Sequence, residues 1–160
     1  MKTAIIYTSK HGTTAKVAQM IADRLIGDTV SVIDLKQVKS PDLNSYDGLI
    51  LGTSIHAGTP SKTMQRFCND NIEALTQKRL TLFVCGMEQD SAKQQHELEN
   101  AYPQALYQHA AVKCFAGGEF LFEKMNFFER AIIKRIAKTD KSVSQIKEDE
   151  IDRLVMKNVE

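Results

Sequence analysis

The sequence predicts an α/β fold, namely a doubly wound five-stranded parallel sheet with helices on both faces. Short apolar runs of strand length alternate along the chain with longer segments of helical period. This alternation implies right-handed crossovers and a mainly parallel sheet that is covered on both sides. The length of 160 residues is typical of one domain, so we expect a single domain over residues 1–160.

Each predicted element follows from its local pattern. The predicted strands are residues 4–7, 29–35, 48–52, 80–85 and 111–116. The predicted helices are residues 13–25, 60–75, 92–101, 126–138 and 145–159, with Pro60 near the first turn of the second helix. Ligands of doubly wound sheets bind outside the carboxyl ends of the strands. We therefore expect the site in the loops after Tyr7, Gly52 and Cys85.

Composition excludes several classes of function. The 21 basic and 20 acidic residues nearly cancel, so we expect no nucleic-acid binding driven by net charge. The first apolar run is too short for a signal peptide and no run reaches membrane-spanning length, so we expect a cytoplasmic protein. The three cysteines form no Cys-x-x-Cys pair, which predicts isolated buried thiols and no metal site.

The loop between the first strand and the first helix is rich in hydroxyl groups. Its residues are Thr8, Ser9, Lys10, His11, Gly12, Thr13 and Thr14. Backbone N–H groups at a helix N-terminus, joined by four hydroxyls, form an anion site suited to a phosphate. Gly12 allows a positive φ or a close backbone approach. Simple N-capping needs one hydroxyl, so the pattern favours phosphate over capping alone.

The loop also resembles a known phosphate site. It lacks both the nucleoside triphosphate P-loop and the dinucleotide fingerprint. The first strand and helix resemble the flavodoxin signature at Ile5, Ile6, Tyr7, Ser9, Gly12, Thr14, Ala18 and Ile21. The resemblance implies a flavodoxin-like fold that binds FMN noncovalently, with residues 8–14 around the phosphate. It also implies that Lys10 is a solvated side chain and not a necessary ligand.

By the same resemblance, two further loops hold the isoalloxazine ring. Their predicted cofactor-binding residues are Thr53, Ser54, Ile55, His56, Ala57 and Gly58 in one loop, and Gly86, Met87 and Glu88 in the other. The chain has no Trp and neither loop has a Tyr, so Ile55, His56 and Met87 are the candidates for ring contact. Weaker aromatic stacking and a basic neighbour predict a less negative potential for full reduction than in a typical flavodoxin.

Two histidines in these loops leave alternatives open. His56 either bonds a flavin edge or lies at the rim of the site, and its unperturbed pKa near neutrality would suit proton uptake. His11 either contacts the cofactor through its side chain or does not. Gly58 offers a backbone carbonyl that, by resemblance, accepts a bond from the reduced flavin. No residue is assigned as a catalytic acid, catalytic base or metal ligand.

Residues 120–138 form an aromatic and basic segment that a minimal fold of this class does not need. It is either a core helix with a cationic C-terminus or a docking surface for a membrane, an apolar substrate or a protein partner. Together with Ser54-Ile55-x-x-Gly58 and Ala116-Gly117-Gly118, it resembles the flavodoxin-type menaquinone-dependent protoporphyrinogen dehydrogenases. These enzymes oxidise protoporphyrinogen through FMN and pass electrons to quinone.

Three functions follow as hypotheses. The first is an electron carrier between redox partner proteins. The second is a quinone-dependent enzyme that resembles the protoporphyrinogen dehydrogenases and contacts the inner face of a membrane peripherally through residues 120–138. The third is a nonredox binding module that kept the fold. The oligomeric state is left open.

Overall fold

The structure is a computed structural model and describes residues 1–120, 126–137 and 143–160. Its strands are β1 (Lys2–Tyr7), β2 (Thr29–Asp34), β3 (Gly48–His56), β4 (Thr59–Pro60), β5 (Arg79–Cys85), β6 (Val112–Phe115), β7 (Glu119–Phe120) and β8 (Val143–Ser144). Its helices are α1 (Thr13–Arg24), α2 (Lys62–Asp70), α3 (Ile72–Thr76), α4 (Ser91–Asn100), α5 (Gln104–His109), α6 (Phe127–Ala137) and α7 (Glu148–Val159).

The predicted five-stranded parallel sheet is confirmed. Its strands lie in the order β2-β1-β3-β5-β6, and every pair among them is parallel. In register, Ile5 of β1 lies between Val32 of β2 and Ile50 of β3. After β1 the chain crosses to one side of the sheet and enters β2, whereas after β3 it crosses to the other side and enters β5. The switch point therefore lies between β1 and β3, which is where doubly wound sheets bind ligands.

Alternate residues of the strands supply two separate cores. Ile6, Leu51 and Leu82 pack on one face with apolar residues of α2 to α5, and all three are fully buried. Ile5 and Phe83 pack on the other face with α1 and α7. Because side chains alternate between faces along a strand, one apolar strand serves both layers.

The predicted end of the third strand at Gly52 is wrong. β3 continues to His56, turns through Ala57 at φ 49° and Gly58 at φ 76°, and returns as the short antiparallel strand β4. Two consecutive positive φ values are typical of a tight hairpin turn, and glycine adopts one without strain. The second predicted loop is therefore a β-hairpin that projects beyond the sheet.

The predicted helix over residues 60–75 is also wrong in two ways. Pro60 lies in β4, and α2 begins at Lys62 because the Ser61 hydroxyl caps it by accepting from the Met64 N–H at 3.3 Å. The helix then breaks at Asn71, whose side-chain amide donates to the Phe67 carbonyl at 2.8 Å. The short helix α5 was not predicted, since six residues give too little periodicity.

The last third of the chain departs from the predicted helices at residues 126–138 and 145–159. α6 ends at Ala137 in the described part, and residues 121–125 and 138–142 of this region lie outside the described residues. α7 begins at Glu148, because β8 first pairs with β7 and Lys147 N–H bonds the Ala116 carbonyl at 2.9 Å. Among the described residues, no helix is long and apolar enough to cross a bilayer.

Candidate functional site

A cavity of about 570 Å³ opens at the carboxyl ends of β1, β3 and β5. Its volume lies within the range of pockets that hold small molecules and cofactors. Thirteen of the sixteen predicted residues line it, namely Ser9, Lys10, His11, Thr13, Thr14, Ser54, Ile55, His56, Ala57, Gly58, Gly86, Met87 and Glu88. The switch point therefore brings the three predicted segments to one cavity.

One end of the cavity is formed by the N-terminus of α1. Gly12 has φ 96°, and its N–H donates to the Ser9 hydroxyl at 3.0 Å, so the loop turns sharply into the helix. Thr14, in the first turn, is fully buried. Its buried hydroxyl makes no hydrogen bond of good geometry with the described residues, although its side chain is close enough to the Cys85 thiol to lower the pKa of that thiol. A buried hydroxyl without such a bond beside a helix N-terminus favours an anionic ligand here.

The other three predicted residues lie just outside this cavity. The hydroxyl oxygens of Thr8 and Thr53 are 3.2 Å apart, and both residues are buried. Thr8 also lines a second cleft of about 330 Å³, which shares Ser9, Lys10, Ser54 and His56 with the main cavity. Gly12 and Thr53 are not among the described residues that line the main cavity. The Thr8–Thr53 pair supports the loop from below.

A third wall comes from the chain after β6. The Gly117 carbonyl accepts from the Gly86 N–H at 2.9 Å, and the Gly118 carbonyl accepts from the Gln145 N–H at 2.7 Å. A Cβ on Gly118 would lie 2.8 Å from the Gly86 carbonyl oxygen and 3.2 Å from the Met87 sulfur. Gly118 is required by this close approach of two backbones.

Several residues of the cavity wall were not predicted from the sequence. They are Cys85, Gln89, Glu97, Gly118, Glu119, Val143 and Gln145. Gly118 and Glu119 follow the carboxyl end of the fifth parallel strand, so the rule that predicted the other loops would also have found them. Glu97 lies within α4, where no local signal distinguishes it from its polar neighbours.

Two of these residues bring carboxylate oxygens to the cavity. The Glu119 side chain is 3% exposed, and one of its oxygens accepts from Lys16 Nζ at 2.8 Å and from the Ser144 hydroxyl at 2.9 Å. Its other oxygen, like one oxygen of Glu97, is buried without a partner among the described residues. Burial and the charge of Glu88 raise the pKa of Glu97. The wall thus offers acceptors for hydroxyl or N–H groups.

The rim of the cavity carries an ionic cluster, formed by Lys10, His11, His56 and Glu129. Glu129 belongs to α6, and its Oε2 lies 2.7 Å from His11 Nε2, 3.4 Å from His56 Nε2 and 3.3 Å from Lys10 Nζ. Although burial opposes the shift, the hydrogen bonds and charges of His11 and Lys10 lower the pKa of Glu129. Burial, Lys10 and His11 together lower the pKa of His56.

The residues present fit FMN. Thr14 and the helix N-terminus suit a phosphate, Ile55 and Met87 offer apolar contact for a ring, and Glu119 offers an acceptor for a sugar-like hydroxyl. The cysteines take no part through ionised thiols. Burial raises the pKa of Cys68, Cys85 and Cys114 to about 12, and none forms a disulfide, as the sequence predicts.

Comparisons with known proteins agree with this architecture. The sequence matches the flavodoxin domain family over residues 4–146. It is 20% identical over 144 residues to protoporphyrinogen IX dehydrogenase (quinone) of Escherichia coli strain K12, covering 86% of this chain and 80% of that protein.

Two solved flavodoxin structures share the fold. A short-chain flavodoxin associated with a non-canonical PDU bacterial microcompartment superposes with a TM-score of 0.62 at 13% identity, covering 99% of this chain and 97% of that one. The Streptococcus pneumonia TIGR4 flavodoxin superposes with a TM-score of 0.52 at 17% identity, covering 100% and 97%. The order of the strands therefore belongs to a flavodoxin-like fold.

Proposed function

The chain belongs to the flavodoxin domain family, and from this premise we propose that it binds FMN noncovalently and carries electrons between redox partners. The observation that carries the proposal is the buried Thr14 hydroxyl at the N-terminus of α1, at one end of the 570 Å³ cavity, which makes no hydrogen bond of good geometry with the described residues. FMN, when bound, supplies one- and two-electron transfer, while the protein binds it and controls access to it.

Different walls of the cavity bind different parts of FMN. Residues 9–14 hold the phosphate through backbone N–H groups and hydroxyls, without a required cation. The β3–β4 hairpin, with Ile55 and His56, and the loop with Met87 enclose the ring. Gly117 and Gly118 keep the third wall close to the Gly86 carbonyl. This arrangement leaves the mouth of the cavity at the rim cluster.

Titration with FMN and with riboflavin tests this proposal. The purified protein is expected to be yellow and to release FMN on denaturation. Because the phosphate contacts lie at the α1 N-terminus, FMN should bind at least about tenfold more tightly than riboflavin, as expected for loss of a hydrogen-bonded charge. A colourless protein that FMN does not reconstitute contradicts the proposal and favours the nonredox binding module. Equal affinity for the two flavins contradicts the phosphate site at the α1 N-terminus.

The potential of the bound flavin reports on the ring contacts. Ile55, His56 and Met87 stand where typical flavodoxins have aromatic residues, so we expect a less negative potential for full reduction. The carboxylates of Glu97 and Glu119 act in the opposite direction, because negative charge disfavours an added electron. Spectroelectrochemical titration measures the net result, and a strongly negative potential would contradict the expectation.

A second candidate function is quinone-dependent oxidation of a porphyrinogen-like substrate, with the protein held at an anionic membrane surface. This candidate is favoured by two exposed aromatic side chains on α6, since Phe127 is 80% exposed and Phe128 is 76% exposed. Arg130, Lys134 and Arg135 are exposed on the same helix. Exposed aromatic rings beside cationic residues match helices that lie in the interface of anionic membranes. The weak similarity to the quinone-linked dehydrogenase supports this candidate.

Sedimentation with lipid vesicles tests the second candidate. The protein should bind anionic vesicles, bind neutral vesicles weakly, and lose binding in the double variant F127S/F128S. Ile26→Ser is the matched control, because Ile26 is 89% exposed but lies outside α6. Turnover of protoporphyrinogen with a menaquinone analogue then separates the two functions. Absence of both turnover and vesicle binding leaves the electron carrier.

A further inference from the structure

The rim cluster contains three metal-ligating side chains, of which His11 and His56 lie in the loops assigned to FMN and Glu129 lies outside them. We propose that His11, His56 and Glu129 bind one divalent transition-metal ion, with Zn²⁺ as the best fit, at the mouth of the cavity. One ligand atom from each of the three residues lies within 4.8 Å of the other two. The three come from the first loop, the hairpin and α6, so only the tertiary structure assembles them.

The distances agree with a tetrahedral site. With metal–ligand bonds of about 2.0–2.1 Å, neighbouring ligand atoms of a tetrahedral zinc lie about 3.3 Å apart. His56 Nε2 and Glu129 Oε2 are 3.4 Å apart, which needs no movement. His11 Nε2 and Glu129 Oε2 are hydrogen-bonded at 2.7 Å and would separate by about 0.6 Å on binding. The ligand atoms of His11 and His56 lie within 4.8 Å of each other, so the two imidazoles would also adjust to reach the tetrahedral spacing.

The donor set selects the type of metal. Two imidazole nitrogens and one carboxylate suit Zn²⁺ and its neighbours, whereas Mg²⁺ and Ca²⁺ prefer sets of oxygen ligands. Two histidines with a glutamate also leave a fourth position for water or for an occupant of the cavity. The side chains of His11 and Glu129 are 14% and 15% exposed and that of His56 is 33% exposed, so the ion would be partly shielded from solvent.

Lys10 is the natural competitor for this site. Its ammonium lies 3.3 Å from the same Glu129 oxygen, but its side chain is 50% exposed and can swing into solvent. A bound divalent cation would displace it by charge repulsion, and removal of Lys10 should therefore tighten metal binding. This expectation distinguishes a metal site from a cluster that is merely an ion pair.

The ion would fasten α6 across the cavity. Glu129 is 118 residues from His11 along the chain, and their contact already spans the rim. Coordination bonds to all three residues would hold α6 against the two loops more firmly than the present partly exposed ion pairs. The site therefore couples metal binding to the position of the helix that follows the third wall.

Zn²⁺ titration of the protein, in FMN-loaded and FMN-free forms, tests the proposal. Calorimetry against a competing chelator should show one equivalent bound in both forms. Glu129→Gln and His56→Gln should each weaken binding at least about tenfold, because each removes one of three ligands. Lys10→Gln should strengthen it. Flavin absorbance is recorded in parallel, so failure of FMN binding is seen separately from failure of metal binding.

The chain supplies its own controls. Of the four histidines, His96 and His109 lie outside the cluster, so His96→Gln and His109→Gln should leave Zn²⁺ affinity unchanged. The buried cysteines do not compete, since burial raises the pKa of each thiol to about 12. Zn²⁺ should also slow amide hydrogen exchange in α6. The proposal is overturned if no saturable single site appears, if Glu129→Gln binds as tightly as the native chain, or if Lys10→Gln weakens binding.

Discussion

At its inner end the cavity is bounded by Thr14, fully buried in the first turn of α1, whereas its rim carries His11, His56 and Glu129, which are partly exposed. The inner end is built from residues close together in the sequence and from backbone packing. The rim joins residues more than a hundred positions apart through charge. Close packing tolerates little change, while partly exposed charges are screened and adjustable. The inner end should thus fix the cofactor, and the rim should regulate access.

The largest effect is expected at Gly52, where β3 passes beneath the cavity. A Cβ there would lie 2.0 Å from Phe83 Cζ, inside the core. Gly52→Ala should therefore lower the free energy of unfolding by about 3 kcal/mol, as for an overpacked core. Urea unfolding measures the loss. Gly48→Ala on the same strand is the control, because its new Cβ meets Met1 Cε at an ordinary 3.5 Å. Equal stability of the two variants would contradict the packing argument.

Thr14 gives the next largest effect, on binding. Thr14→Val removes the buried hydroxyl, and a hydrogen bond to a charged group contributes about 1.5–3 kcal/mol, so FMN should bind about 10- to 100-fold more weakly. The free protein should lose little stability, since the hydroxyl makes no hydrogen bond of good geometry with the described residues and the nearby Cys85 thiol is a weak hydrogen-bonding group. Fluorescence titration and urea unfolding measure both quantities. Thr63→Val, on the exposed face of α2, should change neither.

At the rim, removal of a charge should lower the free energy of unfolding by less than the change at Gly52. Glu129→Gln breaks contacts with Lys10, His11 and His56, yet these groups are partly exposed, so unfolding free energy should fall by less than about 1 kcal/mol. The loss should shrink further at high salt, because salt screens exposed charges. Chelated, metal-free protein is used, with Glu99→Gln as the control for loss of one exposed acidic charge. A larger loss of unfolding free energy that does not depend on salt would contradict this difference between the rim and the inner end.

Glu97 gives the smallest effect and a defined pH dependence. Its folded-state pKa is raised by burial and by Glu88, so the folded state holds the proton more tightly than the unfolded state. The native chain should therefore lose stability as pH rises from the ordinary value of 4.5 through the raised pKa. Glu97→Gln should abolish this loss, which is under about 1 kcal/mol after solvent screening. Unfolding curves from pH 4 to pH 8, with Glu99→Gln as control, measure it.

Features formed by residues close together in the sequence were predictable, whereas features formed by distant residues were not. The parallel sheet and the first loop were predictable, because strand periodicity, the hydroxyl-rich turn and Gly12 are local signals. The continuation of β3 to His56 was not, because it depends on antiparallel pairing with Thr59–Pro60. Glu129 gave no local signal at all, since its partners lie in loops near the other end of the chain.

The sequence by itself determined the five parallel strands and the position of the hydroxyl-rich loop at the start of α1. Both follow from backbone preferences and apolar periodicity within a few residues. The tertiary structure alone decided how the cavity closes. Gly118 meets Gly86, Glu119 lines the cavity, and Glu129 joins His11 and His56. These contacts form because the sheet brings together segments that are far apart in the sequence, and no local sequence pattern predicts which distant segments will meet.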